Sequence, residues 1–384
     1  MNKVSLQKCE EYDREKLADT ITQGLRDIGF DPATLSGRNV VLKPNILMPS
    51  PAEKAVTTHP EFFAAACRVV TENGGNATVV ESPAMASLDK AMRKIGFAEI
   101  AEQYGVAVAD PEDAEVLFCE DAVTYKRFEI SRAFHEADII INLPKFKTHG
   151  ITYMTGAVKN LFGSIAGLNK SRWHMKVPDP GEFAEMLLDL NVAFVHGFDP
   201  KKTMLHVMDA VVGQEGEGPG PAGKPKHIGA VIVGQSPVAV DCVATRVSGL
   251  SVKKVHTINA GYERDLGVSS EKDIEIVGER IEDMVVSGYQ ATRNSIFSNM
   301  MRGPLTSRTL RNWMTEKPFP QKDLCTLCYQ CMKICPAKAI SKAEKGAQVP
   351  AYDYDKCIRC YCCAEICPEA AIRLKKGWLQ KLAS

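Results

Sequence analysis

The chain has 384 residues, of which 45% are hydrophobic and 24% charged, and its formal net charge is zero. This balance is ordinary for a globular protein with more than one core, and zero net charge argues against a general nucleic-acid or anionic-membrane binder. No apolar run reaches the about eighteen residues of a spanning helix, and the first residues lack a secretory signal, so we expect a cytoplasmic protein without a membrane span.

Strand-like and helix-like segments alternate over the first 250 residues. In chain order they are strand VSLQKCE, helix DREKLADTITQGLRDIGF, strand RNVVLKPN, helix EFFAAACRVVTENGG, strand NATVVES, helix SLDKAMRKIGFAEIAEQYG, strands VAVAD, ADIIINLPK, KTMLHVMDAVVG and HIGAVIVGQ, and helix VAVDCVATRVSG. The alternation predicts an α/β fold, a mostly parallel, doubly wound sheet with helices on both faces.

Two segments lack this alternation. Residues 213–225 contain five glycines and three prolines, which predicts an irregular loop. Residues 286–320 are basic and predict a solvated helical linker, with a docking surface for an acidic partner as the alternative. We therefore divide the chain into an α/β domain over 1–285, this linker, and a C-terminal module over 321–375.

Nine of the thirteen cysteines are crowded near the C-terminus, in an ungapped repeat of CTLCYQCMKICPAKAI (325–340) and CIRCYCCAEICPEAAI (357–372). Each copy spells C-x2-C-x2-C-x3-C-P, the pattern in which three cysteines hold one 4Fe-4S cluster and the fourth holds the cluster of the other copy. Zinc is the alternative, but zinc sites usually pair one CxxC with a distant one. The crowding also does not fit a disulfide framework.

The same pattern assigns the ligands of two clusters. They are Cys325, Cys328, Cys331 and Cys367 for the first, and Cys357, Cys360, Cys363 and Cys335 for the second. Cys362 is an extra cysteine, and the x2 spacing favours Cys363 as the ligand, leaving Cys362 as a buried filler or a reserve ligand. The module resembles bacterial two-cluster ferredoxins, which implies a small α+β unit with two clusters but says almost nothing about partners. We separately expect a redox partner protein, as electron donor or acceptor.

Polar side chains follow several predicted strands at the point where each strand ends. In a parallel sheet the ligand crevice lies outside the carboxyl ends of the strands. Each residue alone has an ordinary explanation as a solvated lysine or a turn residue, so the repetition is what favours a site. The residues are Lys43 and Asn45 after VVL, Glu81 after ATVV, Lys145, Lys147, Thr148 and His149 after DIIINL, and Asp209 at the close of MLHVMDA.

The stretch THGITYMTGAVKNLFG adds further candidates, because Thr155 and Gly156 could open a helix whose free N–H groups favour an anion. Thr58 is a plausible helix cap. His149 is the candidate proton donor, because an ordinary histidine pKa suits transfer near neutrality. We take His149, Lys145, Lys147 and Glu81 as catalytic candidates. The binding candidates for an unidentified anion are Lys43, Asn45, Thr58, His59, Thr148, Thr155, Lys159, Asn160, Asp209 and Asp241.

Over roughly residues 1–285 the chain resembles the family called domain of unknown function 362. The segments that carry the resemblance are VVLKPN, TTHPEF, VVESP, ADIIINLPKFKTH, TGAVKNLFG, MDAVVGQEGEGP and SPVAVDCVATRVSG, in family order. Members often have a two-cluster ferredoxin tail. The resemblance implies an architecture and a site location, but no reaction.

Three hypotheses follow for function. The leading one is an iron–sulfur oxidoreductase that passes single electrons through two 4Fe-4S clusters to an anionic substrate or cofactor at the strand ends. The alternatives are a non-enzymatic electron-transfer adaptor and a cofactor-maturation scaffold that docks to a partner enzyme. No GxGxxG follows the first strand, and the chain lacks the GxxxxGK[ST] and GxSxG motifs, so no dinucleotide, phosphate-loop or nucleophile-elbow chemistry is predicted.

Overall fold

The computed structural model describes residues 2–84, 86–167, 169–292 and 315–375, which form a large α/β unit and a small cysteine-rich unit. The strands are β1 Asn2–Lys8, β2 Asn39–Pro44, β3 Asn76–Val79, β4 Ala107–Val108, β5 Ala114–Phe118, β6 Arg127–Ser131, β7 Ile139–Leu143, β8 Lys145–His149, β9 Tyr153–Thr155, β10 Thr203–Gly216, β11 Gly223–Gly234, β12 Ile274–Gly278, β13 Lys317–Pro320, β14 Ile340–Ser341, β15 Ala351–Tyr352 and β16 Ile372–Lys375.

Helices cover the sheet and also contribute to the cysteine-rich unit. They are α1 Arg14–Asp27, α2 Pro60–Glu72, α3 Leu88–Lys94, α4 Phe97–Gln103, α5 Ala133–Glu136, α6 Ala157–Asn160, α7 Asn169–Lys176, α8 Pro180–His196, α9 Pro237–Val247, α10 His256–Gly261, α11 Ile281–Met284, α12 Gln330–Ile334 and α13 Cys362–Glu365. Among the described helices none is long and apolar enough to cross a bilayer.

The main sheet has the strand order β12-β1-β11-β10-β7-β2-β3-β4, with β8 and β9 attached beside β10. Strands β3, β2, β7 and β10 run parallel to one another, whereas β11 is antiparallel to both of its neighbours. The prediction of a mostly parallel α/β sheet is confirmed. The carboxyl ends of β2, β3 and β7 therefore meet at one edge, as the strand-end argument requires.

Strand β7 shows why the sheet is covered on both faces. All five of its residues are buried. Because successive side chains point to opposite faces, Ile139 and Ile141 pack in the core on the α1 and α2 side, and Ile140 packs in the core on the α8 and α9 side. A continuous apolar strand without alternation is what a strand buried on both faces requires.

Two predictions about local structure were wrong. Residues 88–103 form two helices instead of one, because Gly96 adopts a left-handed φ of 79° between them, which ends the first helix. The predicted loop over 213–225 is mostly strand, since β10 extends to Gly216 and β11 begins at Gly223. The glycines there are accommodated in a paired hairpin, and only 217–222 connects its strands.

The cysteine-rich unit repeats its backbone conformation at an offset of 32 residues. Tyr329 and Tyr361 both have left-handed φ, at 57° and 59°, and each precedes a short helix, α12 or α13. The two-stranded sheet β13–β16 joins the beginning of the unit to its end. Strand β13 occupies the last four residues of the predicted 286–320 linker. Residues 293–314 of that linker lie outside the described residues, and the three-part domain division stays a prediction.

Candidate functional site

A cavity of about 120 Å³ lies between the strand-end edge of the sheet and the cysteine-rich unit. The sheet side supplies Asn45, Glu81, Lys147, His149, Thr155, Lys159 and Asn160, all of which are residues predicted from the sequence. The cysteine-rich side supplies Ile334, Cys362, Glu365 and Ile366. A volume of this size holds several water molecules or a small ligand. Seven of the fourteen non-cysteine candidates are therefore brought together.

The floor of the cavity contains a buried ion pair. Lys43 at the end of β2 donates to the Glu81 carboxylate after β3, and both side chains are almost fully buried. Burial lowers the pKa of Lys43, and the Glu81 charge opposes this shift. A Cβ at Gly163 would overlap the Glu81 carboxylate, so glycine is required there for close approach. Lys43 thus neutralises the Glu81 carboxylate but does not itself line the cavity.

A chain of asparagine side chains fixes the wall beside this pair. Asn45 Nδ2 donates to Asn160 Oδ1 at 2.8 Å, and Asn160 Nδ2 donates to Asn142 Oδ1 at 2.7 Å. Lys147 Nζ donates to Asn45 Oδ1 and to the Val56 carbonyl, both at 2.7 Å. Because each amide is committed at both ends, the ammonium of Lys147 is held in one position at the cavity edge.

One buried lysine, Lys147, and two partly buried lysines, Lys159 and Lys170, give the cavity its electrostatic character. Burial, with smaller contributions from neighbouring lysines, lowers the pKa of Lys147 to about 7 and that of Lys170 to about 8. Burial also lowers the pKa of Lys159, although the Glu365 charge opposes the shift. Desolvation penalises a cation, and an anion placed nearby would offset that penalty. The site therefore favours a negatively charged ligand.

His149 differs from the sequence-based expectation. Its Nδ1 accepts hydrogen bonds from the amides of Ile151 at 3.0 Å and Thr152 at 3.4 Å, so the ring proton is on Nε2, which lies 3.6 Å from Glu365 Oε1. Burial and the nearby lysine charges lower the pKa of His149 well below its ordinary value. The imidazole is neutral near pH 7, and the argument that its pKa suits proton donation at neutrality was wrong.

Lys145 and its partners form a separate network outside the cavity. Lys145 Nζ donates to Asp209 Oδ2 at 2.8 Å and to the Tyr12 hydroxyl at 2.6 Å. The Tyr12 ring stacks on His59 at a centroid distance of 3.6 Å, and the His59 amide donates to Asp209. Asp209 lies inside the long strand β10 and does not close it. The polar groups of Lys145, His59 and Asp209 therefore contact one another and Tyr12, and they do not face the cavity.

Three other candidates have structural roles. Thr58 does not cap α2, whose N-cap is His59, but donates to the Leu143 carbonyl and accepts from the Asn45 amide. Thr148 donates to carbonyls of β10. Asp241 accepts from the Ala157 and Val158 amides, which are the N–H groups predicted to favour an external anion at the start of α6. The carboxylate of this chain already occupies that position.

Several cavity residues were missed as site candidates. Lys170 and His174 on α7 follow no strand and have no motif spacing, and Cys362, Glu365 and Ile366 belong to the cysteine-rich unit. Burial lowers the pKa of His174 to about 3, so this ring is neutral. Only the packing of the two units against each other places Cys362, Glu365 and Ile366 at the strand ends, and no local sequence signal reports that packing.

The cysteines of the two copies lie close to one another in the cysteine-rich unit. The four residues assigned to the first cluster, Cys325, Cys328, Cys331 and Cys367, line one small cavity. Cys335 packs against a small cluster that contains Cys363 and Cys367 of the other copy. The Ala339 and Ala371 amides donate to Cys335 Sγ and Cys367 Sγ, both at 3.3 Å, as expected for inward-facing thiolates.

Side-chain spacing also bears on the zinc alternative. Within the described residues no three histidine, cysteine or carboxylate side chains converge closely enough to hold one metal ion. A structural zinc site needs four such ligands around a single ion, whereas a cubane cluster takes each thiolate on a different iron and so spaces them farther apart.

Comparison with known proteins agrees with both parts of the chain. A family model described as "Domain of unknown function (DUF362)" matches residues 40–246, more than half of the chain. The chain belongs to this family. A second model, described as a 4Fe-4S dicluster domain, matches residues 317–368. This DUF362 protein thus carries a C-terminal iron–sulfur domain of ferredoxin type, a class of domain that supports electron transfer.

The DUF362 chain is also similar to individual proteins. It is 29% identical over 259 residues to the thylakoid-associated protein sll1697 of Synechocystis sp., covering 67% of this chain and 78% of that protein. Two solved structures are similar to part of the chain, with TM-scores of 0.41 and 0.37. They are the lactate racemase apoprotein of Thermoanaerobacterium thermosaccharolyticum, with a TM-score of 0.41, 13% identity and coverage of 65% and 58%, and a protein of Thermotoga maritima, with a TM-score of 0.37, 14% identity and coverage of 63% and 60%. The chain spans less than two thirds of either of these two structures.

Proposed function

We propose that this DUF362 protein is an iron–sulfur oxidoreductase that delivers single electrons to a small anionic substrate or cofactor in the cavity between its two units. The supporting observation is the composition of the cavity wall. One side carries Lys147, Lys159 and Lys170, and the other includes Cys362 and Glu365. Cys362 directly precedes the assigned ligand Cys363, and Glu365 lies two residues before the assigned ligand Cys367. A bound anion would sit beside the electron-carrying unit, which favours this function over an adaptor.

We assign two clusters to the eight cysteines, with Cys325, Cys328, Cys331 and Cys367 around the first and Cys357, Cys360, Cys363 and Cys335 around the second. When bound, each cluster supplies one-electron redox chemistry. Three of the assigned ligands, Cys331, Cys363 and Cys367, are buried in a small apolar cluster with Ile340 and Ile372. A redox partner protein would supply the electrons.

The residues of the cavity have distinct proposed roles. Lys159 and Lys170 bind the anion, and Lys147 supplies the proton that accompanies the electron, because its pKa of about 7 matches the pH at which a general acid works best. Glu81 is paired with Lys43 and fixes the neighbouring backbone by accepting a hydrogen bond from the Ser82 amide at 3.0 Å. His149, which is neutral, orients Glu365 from the opposite wall.

Anaerobic purification with iron, sulfide and zinc analysis tests the cluster assignment. We expect about eight irons per chain. Cys335→Ser and Cys367→Ser should each perturb a different cluster, visible as two distinct changes in the electron paramagnetic resonance spectrum. Zinc in place of iron, or identical spectra for the two variants, would refute the crosswise assignment.

To test the enzyme proposal, the small molecule that copurifies with the protein is released and identified by mass spectrometry. Added back to chemically reduced protein, it should reoxidise the clusters. Lys147→Met should slow this reaction at least about tenfold, as expected for loss of a general acid, while iron content stays unchanged. Reoxidation at the wild-type rate in Lys147→Met would rule out the proposed proton donor.

A further inference from the structure

The cavity has a polar half that carries excess positive charge. Lys159 and Lys170 both line it, and neither ammonium forms an ion pair among the described residues. Glu81 is already paired with Lys43, which leaves Glu365 on the opposite wall as the acidic group facing two cations. Lys159 Nζ instead lies over the Phe162 ring, 4.6 Å from its centroid. A cation in this setting gains from an added anion.

An unsatisfied hydroxyl group also faces this half. Thr155 is only 4% exposed and lines the same cavity, and its Oγ1 has no hydrogen-bond partner among the residues that the structure describes. Buried polar atoms are almost always hydrogen-bonded in native proteins. A ligand oxygen in the cavity would accept the hydrogen bond that Thr155 lacks, and this observation is independent of the lysine charges.

The other half of the cavity is apolar. Leu47 and Ala84 from the sheet side face Ile334 and Ile366 from the cysteine-rich side, and these residues belong to one small hydrophobic cluster with Met48 and Val56. Ile334 directly precedes Cys335, and Ile366 directly precedes Cys367. The apolar wall therefore contains two residues that are neighbours in the chain of assigned cluster ligands.

From this division we infer that the cavity binds an amphipathic anion, whose carboxylate or phosphate contacts Lys159, Lys170 and Thr155 and whose apolar body packs on Leu47, Ile334 and Ile366. The inference rests on the proposed function in one respect. If the protein is an oxidoreductase, the apolar body of the ligand carries the group to be reduced and lies on the side of the clusters. As a statement about binding it stands on the geometry alone.

Calorimetry with three small probes tests the inference on anaerobically purified, oxidised full-length protein at pH 6.5. Benzoate has both a charge and an apolar ring, acetate has only the charge, and benzyl alcohol has only the ring. We expect benzoate to bind at least about tenfold more tightly than either of the others, because it alone gains both ionic contacts and apolar burial. Equal affinity for benzoate and acetate would overturn the inference.

Three variants separate the two halves of the site. Thr155→Val and Lys170→Met should each weaken benzoate about tenfold, whereas Leu47→Ala should weaken benzoate and leave acetate unchanged. Lys176→Met is the matched control, since Lys176 lies on the same helix as Lys170 but packs over Trp173. Iron content and thermal midpoint show that each variant is folded.

The outcomes distinguish the two proposals. If Thr155→Val and Lys170→Met both bind benzoate like the wild type, the amphipathic site is refuted whether or not the protein transfers electrons. If benzoate binds as expected but the molecule released from the protein does not reoxidise reduced clusters, the oxidoreductase proposal alone fails.

Discussion

Buried lysines determine what the cavity can bind at a given pH. Lys147 and Lys170 have pKa values lowered by burial to about 7 and about 8, so both change charge within the range accessible to binding experiments. Below these values the ammonium groups attract an anion, and above them the neutral amines do not. Lys145 is protected from this role, because Asp209 and Tyr12 already satisfy its ammonium group.

The affinity for benzoate should therefore fall as pH rises from 6 to 9. Lys147 loses its proton first and Lys170 next, and each loss removes a positive charge that the anion needs. In Lys147→Met the fall should begin about one pH unit later, because only the Lys170 transition remains. Calorimetry over this range checks the expectation, and an affinity independent of pH would contradict it.

The sequence predicted part of this site for a clear physical reason. Lys43, Glu81 and Lys147 follow parallel strands, and parallel strands must end at one edge. The sequence could not separate Lys147 from Lys145, because both follow β7. The two lysines differ because of β10, where the sheet register places Asp209 opposite Lys145. Lys145 therefore pairs with Asp209, whereas Lys147 lines the cavity. Register between distant strands depends on tertiary packing, which no local pattern encodes.

At the scale of elements, the short helix α6 depends on a carboxylate from α9. Asp241 is fully buried and accepts hydrogen bonds from the first two amides of α6. It thereby replaces an external anion and fixes the segment that carries Thr155, Lys159 and Asn160. Burial raises the pKa of Asp241 to about 7, although the amide bonds oppose this shift.

This raised pKa predicts a pH-dependent stability. The folded carboxyl group holds its proton more tightly than the unfolded one, so its contribution to stability is full below about pH 4 and is lost as pH rises to about 7. Relative to Asp241→Asn, the wild type should lose up to about 1.4 kcal/mol per pH unit across this window. Thermal midpoints at pH 5, 6 and 7 measure the difference.

Asp19→Asn serves as the control for this comparison, because Asp19 is an exposed carboxylate on α1. Its difference from the wild type should stay constant over the same pH range. A constant difference for Asp241→Asn as well would mean that Asp241 is ionised throughout, and the amide bonds would then outweigh its burial.

The whole molecule combines a metal-binding unit whose architecture follows from its sequence with a cavity whose composition does not. The C-x2-C-x2-C-x3-C-P repeat predicts its own ligands, because the spacing itself sets which thiolates can meet. The docking of that unit on the sheet is set by contacts from remote segments. Ile366 packs with Met48 and Val56, and the hairpin connection at Gly220 lies against the backbone of Glu365.

Gly220→Ala tests whether this docking creates the site. A Cβ at Gly220 would overlap the Glu365 carbonyl oxygen, and a backbone atom cannot move aside as a flexible side chain can. The cysteine-rich unit should therefore be displaced while both units stay folded. We expect unchanged iron content, a larger radius of gyration in solution scattering, and benzoate affinity reduced about tenfold or more through loss of one cavity wall.

Pro221→Ala is the matched control, one residue away in the same connection, and should behave like the wild type. A Gly220→Ala protein that stays as compact as the wild type and binds benzoate equally well would show that the cysteine-rich wall contributes nothing to binding. Because the lysines of the sheet edge are untouched by this substitution, such a result would assign the anion site to the α/β unit alone. The clusters would then need another route for their electrons.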